Sequence, residues 1–165
     1  MKRVILDTNI YGRIVEIRQE EEITEIIGKK KYILIYGYDI VRKELRDVPS
    51  KRTIENKRLR LALLALYDRL VKSHIYFTTE PIRQLASDYH KAYKQLGGKE
   101  SEKEMLNDFL IVACASIHEL DIVVSDDTNT MLSKEALKSY KIVNTLRKYK
   151  LPDFIGFEKF RRSFF

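Results

Sequence analysis

Apolar and polar positions alternate along the chain in two periods, and the short runs are the more informative. Val4, Ile5 and Leu6 form a β-branched stretch that stops at Asp7, Thr8 and Asn9, which reads as a buried strand leaving a sheet. Similar short strands are expected at Tyr32 to Tyr36, where Gly37 interrupts, at Ile75 to Phe77, at Ile122 to Val124 and at Tyr140 to Val143. Between them the spacing is helical. Ile10, Ile14, Ile17, Ile23, Ile26 and Ile27 predict one helix ending at a Gly28 cap. A helical turn follows from Asp39 to Leu45. After the break at Pro49 and Ser50, Leu59, Leu63, Leu66 and Leu70 predict a long helix over Lys51 to Lys72. Glu80 and Pro81 open a helix that ends at Gly97 and Gly98. Ser101 and Glu104 have the spacing of a capping box and start another, which carries Asp108 into an apolar stretch near Ile117. Met131 to Ser139 reads as a short helix, and Phe157, Phe160 and Phe164 give the tail a helical face that docks on the core.

Strands separated by helices of these lengths require right-handed crossovers and a mostly parallel sheet covered on both faces. The expected architecture is a three-layer α/β/α sandwich with four or five strands, one domain spanning residues 1–165, a length that buries an ordinary core. In such sheets ligands gather beyond the carboxyl ends of the strands. Asp7 and the pair Asp126 and Asp127 follow strands directly, and Glu44 and Asp108 sit near helix starts, so all can meet at one edge.

Each acid also has an ordinary explanation. Asp7 caps a helix or makes a turn, Glu44 pairs with Arg42 or Lys43, Asp108 caps a helix with Asn107, and Asp126 and Asp127 turn the chain. Together they point elsewhere, because carboxylates drawn into one pocket raise one another's pKa unless a cation lies between them. Oxygen donors of this kind suit Mg²⁺ or Mn²⁺, which also bind phosphate oxygens and acidify a water. Charge supports a polyanionic partner: 31 Lys plus Arg against 24 Asp plus Glu leave +7. Arg52, Lys57, Arg58 and Arg60 cluster toward the start of the Lys51 to Lys72 segment and are candidate RNA contacts.

Other chemistries fit poorly. His74, His90 and His118 lack zinc-ligand spacing, no Gly-rich phosphate loop follows the first strand, and no serine sits in an elbow motif. Asn9, two residues after Asp7, disfavours an aspartyl-phosphate phosphatase. Cys114 is the only cysteine and lies in an apolar run, no stretch approaches the roughly 20 apolar residues of a membrane span, and no signal peptide is visible. A cytoplasmic protein with no membrane partner is expected.

The segments VILDTN, VRKEL, NDFLIVACAS and VVSDD, in that order and spacing, resemble the PIN-domain family, in particular stand-alone prokaryotic members such as VapC toxins. The resemblance spans nearly the whole chain and implies a metal-dependent endoribonuclease. It carries the catalytic acids onto Asp7, Glu44, Asp108 and Asp127, with Asp126 as an additional ligand or a neighbour of one, and Thr8, Asn9, Ser125 and Thr128 in support. It also implies an antitoxin partner and a homodimer. Single-stranded RNA is the expected substrate, since only an unpaired strand enters a narrow acidic pocket. The basic region Lys51 to Lys72 is longer than in many compact toxins, which leaves nuclease chemistry better supported than a toxin role. Two alternatives stay open: a non-catalytic RNA-binding or scaffolding domain, and a nuclease for DNA or for ribosomal RNA precursors.

Overall fold

Five parallel strands in the order β5-β2-β1-β6-β7 form the centre of the protein, whose computed structural model describes residues 1–165. The strands are β1 (Lys2–Leu6), β2 (Ile33–Tyr38), β5 (Ile75–Tyr76), β6 (Ile122–Val124) and β7 (Asp153–Ile155). Val4, Ile5 and Leu6 are fully or almost fully buried because β1 is the central strand, with Val4 opposite Ile35 on one side and Ile122 on the other. Helices α1 (Thr8–Glu16), α2 (Glu20–Lys29), α3 (Asp39–Arg46) and α4 (Leu59–Val71) follow β1 and β2, and α4 packs on the other three and on β2. Helix α5 (Glu80–Gln95) packs with α6 (Glu102–Ile117) and α7 (Lys134–Arg147), and α6 lies on β6. The two groups flank the sheet, and 43 buried apolar residues make one continuous core. No helix is long and apolar enough to cross a membrane.

Three expectations need correction. The isoleucine run from Ile10 to Ile27 is two helices, because α1 ends at Glu16 with Ile17 as its cap and Arg18 takes a left-handed φ of 57°. Glu20, Glu21 and Glu22 then occupy the first turn of α2, where acids complement the helix dipole; Gly28 lies inside α2 and Lys30 is its cap. Lys51 to Lys72 is not one helix either. Thr53–Ile54 (β3) and Lys57–Arg58 (β4) form a small antiparallel hairpin before α4. Its turn residues Glu55 and Asn56 have φ of 47° and 66°, as a tight two-residue hairpin turn requires. Tyr140 to Val143 belongs to α7, where Ala136, Tyr140, Val143 and Asn144 form the buried face, and the fifth strand is β7.

Gly37 does not end β2. A Cβ there would run into the Tyr67 ring and Val71 of α4, so glycine lets that helix approach the strand closely. The Tyr67 hydroxyl then donates to the Tyr38 carbonyl at 3.2 Å. On the opposite side a buried polar knot ties three helices together. Tyr89 of α5 bonds Ser116 of α6 at 3.1 Å and Asn144 of α7 at 2.5 Å, and Asn144 donates to Ser116 at 2.9 Å. The tail forms α8 (Phe157–Phe164), with Phe157 and Phe160 buried in the core.

Candidate active site

Strand order reverses at β1, since β2 lies on one side of it and β6 on the other, and a crevice opens beyond the carboxyl ends at that point. It is an open cleft of about 510 Å³ lined by Asp7, Thr8, Asn9, Glu44, Asp47, Val48, Asp108 and Asp127. No Lys, Arg or His is among these residues. Asp7 leaves β1 with an extended backbone and caps α1, its Oδ1 accepting from the Thr8 amide at 2.7 Å. Its Oδ2 accepts from the Ser125 hydroxyl at 2.7 Å and from the Asn9 amide at 2.8 Å. Asp7 therefore serves both as a helix cap and as a cleft residue, and it is only 4% exposed.

Glu44 reaches the cleft from α3 and makes no ion pair with Arg42 or Lys43, which bind Asp68 and Asp47 instead. It accepts from the Thr8 hydroxyl and, at 2.6 Å, from the Asn107 amide. Asp108 is well inside α6, whose cap is Ser101, and the expected capping box with Glu104 is complete. Asp127 lies in the loop after β6, its Oδ1 accepting from the amides of Asn129 and Thr130, both at 3.0 Å. The Thr130 hydroxyl is 2.6 Å from Asp108 Oδ2 and 2.6 Å from Asp127 Oδ2. A hydroxyl carries one proton, so with both carboxylates ionised only one of these contacts is a hydrogen bond.

Electrostatics follow from this crowding. Burial lifts the Asp7 carboxyl to about 6, against the Ser125 and Thr8 hydrogen bonds that favour its charge, and Glu44 and Asp127 add repulsion. Asp108 is lifted to about 7, first by burial, then by repulsion from Asp7, Asp127 and Glu44. No three acidic, histidine or cysteine side chains converge into a ready-made cage. Each carboxylate is instead held by hydroxyl and amide donors while lining the cleft. That donor set fits a hard cation such as Mg²⁺, which takes one or two carboxylates and keeps several waters rather than filling an all-protein cage. Such an ion would also supply the positive charge that the cleft walls lack.

The remaining candidates fall elsewhere. Asp126 does not line the cleft, and its Oδ1 accepts from the amide of Phe157, the first residue of α8, at 2.8 Å. Thr128 is exposed, and its amide bonds only the Asp126 carbonyl. Lys57 and Arg58 line a separate cleft of about 690 Å³, floored by Val15, Leu61 and Ala65, that shares no residue with the acidic one. Arg52 is exposed and Arg60 half-buried, and neither lines either cleft. Asn107 and Thr130 emerge only from the structure. Thr130 sits three residues beyond Asp127, a spacing that by itself distinguishes it from no other loop hydroxyl.

No protein-family model matches the chain, and no curated protein matches it. Solved structures do. VapBC2 from Rickettsia felis bound to a DNA fragment from their promoter aligns with a TM-score of 0.62 and 15% identity, covering 94% of this chain and 98% of that one. VapBC-1 from nontypeable Haemophilus influenzae gives 0.57 and 14%, over 93% and 97% of the two chains. FitAB bound to an IR36 DNA fragment gives 0.57 and 16%, over 93% and 94%. Likeness at these identities is likeness of fold. The parallel five-stranded sheet, its order and its flanking helices give this chain the PIN-like fold to which its acidic motifs point.

Proposed function

We propose that the protein is a Mg²⁺- or Mn²⁺-dependent endoribonuclease, acting as the toxin of a cytoplasmic toxin-antitoxin pair. One observation carries the reading: Asp7, Glu44, Asp108 and Asp127, from four separate segments, line one cleft that contains no cation of its own. Holding that many carboxylates together in a partly buried site is unfavourable, and a bound divalent ion offsets it. The ion, when bound, supplies charge neutralisation at the phosphodiester and acidification of a water. Asp7, Glu44, Asp108 and Asp127 are the residues that would hold it. Ser125, Thr8 and Asn9 fix the Asp7 carboxylate with three hydrogen bonds, so its direction is set before substrate arrives. Asn107 and Thr8 do the same for Glu44.

Single-stranded RNA is the proposed substrate, because an unpaired strand has a flexible backbone that can present its phosphate to the cleft and bases splayed for recognition. The antitoxin is supported by the neighbours, which are VapBC and FitAB assemblies. Its proposed seat is the larger cleft between the start of α2, the β3–β4 hairpin and α4. There, exposed Leu61 and half-buried Ala62 lie among Arg18, Lys57, Glu20 and Glu55.

The deciding experiment is cleavage by wild type and Asp7→Asn, with Mn²⁺ or EDTA, on a single-stranded RNA and a DNA of the same sequence. Cutting of the RNA that needs Mn²⁺ and disappears in the variant is the expected result. Cutting of the DNA alone would move the substrate. Folded, antitoxin-free protein that cuts neither would leave a non-catalytic RNA-binding domain.

A further inference from the structure

We propose that Thr130 is a positioning residue of the acidic cleft, a clamp whose hydroxyl fixes the Asp108 carboxylate beside that of Asp127 so that the pair can grip a divalent cation. This rests on the metal-dependent reading above. The cleft acids are not held equally. Asp7 accepts three hydrogen bonds and Glu44 two, each from donors in more than one segment or residue. Asp108 has a single side-chain partner, the Thr130 hydroxyl at 2.6 Å, and the clamp assigns that hydroxyl's one proton to Asp108, since Asp127, equally near, already accepts two backbone amides. Without that contact no side-chain hydrogen bond would fix the direction of its carboxylate. Asp108 projects from α6, whereas Asp127 belongs to the loop after β6, and no other side-chain hydrogen bond joins the two residues.

Thr130 can act as a fixed point because its own backbone is anchored on both sides. Its amide donates to Asp127 Oδ1 at 3.0 Å, and its carbonyl accepts from the Ser133 hydroxyl at 2.9 Å. Ser133 in turn caps α7 through the Ala136 amide. The next residue, Met131, is fully buried, and its carbonyl accepts from the Tyr140 hydroxyl at 2.9 Å. A β-branched side chain on so constrained a backbone has few rotamers, so the hydroxyl stays where both carboxylates meet it. Groups that orient metal ligands in this way typically contribute about 10–100-fold to metal affinity.

The test compares Thr130→Val, which keeps the shape and removes the hydroxyl, with Thr130→Ser, which keeps the hydroxyl. Thermal unfolding is followed as Mn²⁺ is titrated, with no RNA present, and free Mn²⁺ is read independently by electron paramagnetic resonance. Wild type and Thr130→Ser should reach half-saturation within about threefold of each other, and Thr130→Val should need about 10–100-fold more Mn²⁺. RNA cleavage by Thr130→Val should recover at saturating Mn²⁺. In an Asp108→Asn background the same substitution should change Mn²⁺ affinity little, since the clamp would have nothing left to hold. Thr130→Ala removes the same hydroxyl and serves if the valine variant is unfolded. Equal Mn²⁺ affinity in wild type and the hydroxyl-less variants would overturn the clamp and leave the metal reading standing. Absence of any Mn²⁺ binding by wild type would overturn both.

Discussion

Asp108 concentrates the tension of the cleft in one residue. Its carboxyl is lifted from 3.8 to about 7, and that of Asp7 to about 6, so from about pH 4 to 7 the folded chain holds protons that the unfolded chain releases. Their contribution to stability is therefore fully present below about pH 4 and lost as pH rises through the folded values. His118, pushed down by burial and by Arg3, works in the opposite direction around its ordinary value of 6.5. The useful measurement is the difference between two proteins. In EDTA at about pH 8, Asp108→Asn should melt roughly 2–4 °C above wild type, the shift that about 1 kcal/mol makes in a domain of this size. At about pH 5 the two should converge. A variant that melts below wild type at the higher pH would show that the charge is better compensated than the cleft indicates. The same substitution should abolish cleavage, so one side chain is expected to trade stability for chemistry. The four principal acids are legible in the sequence, Asp7 and Asp127 because they follow apolar strand runs, Glu44 and Asp108, which lie inside α3 and α6, through the segments VRKEL and NDFLIVACAS. Their partners are not: Thr130 and Asn107 bond across chain separations of 22 and 63 residues, which no local pattern records.

At the scale of elements, the strands facing the core on both sides are legible from their apolar runs, and errors fall where one periodicity masks a break. Ile10 to Ile27 keeps helical spacing across a left-handed Arg18, and the leucines of α4 draw the hairpin before it into the same helix. Tyr140 to Val143 has strand-forming residues, but Tyr140 and Asn144 are needed one turn apart on the buried face of α7. Gly37 shows the converse, since a residue that reads as a strand breaker is kept because α4 must come close. Gly37→Ala should therefore destabilise the protein by about 1–3 kcal/mol, the usual effect of overfilling a packed core. Tyr67→Phe loses the bond to Tyr38 but removes the nearest of the three atoms that the new methyl would meet, leaving the Val71 methyl and the ring carbon of residue 67. In urea unfolding, the double variant should be more stable than the sum of the two single losses predicts. Strict additivity would mean that Val71, and not the Tyr67 hydroxyl, sets the cost.

Over the whole molecule the +7 charge is unevenly distributed. On the proposed reading the acidic cleft would repel a phosphate backbone until a cation entered, so the excess of Lys and Arg elsewhere would have to deliver RNA to it. The basic cluster prominent in the sequence is poorly placed for that task. Lys57 and Arg58 line a cleft where Arg18 and Arg69 are balanced by Glu20, Glu21 and Glu55, over an apolar floor. Arg18 and Glu55 are already paired across it. Mixed charge around apolar surface suits a protein partner better than a polyanion, which gains most from cations left free. A chain with Lys57→Ala and Arg58→Ala should accordingly bind single-stranded RNA within about twofold of wild type, measured by fluorescence anisotropy in EDTA, where cutting is not expected. The dependence on salt decides the matter more sharply than affinity at one condition. For a single strand, removing one cation that neutralises a phosphate makes the slope of log K against log salt shallower by about 0.7. An unchanged slope would leave this face off the RNA path and free for a protein partner, whereas a slope shallower by about 1.4 would place both cations on the RNA.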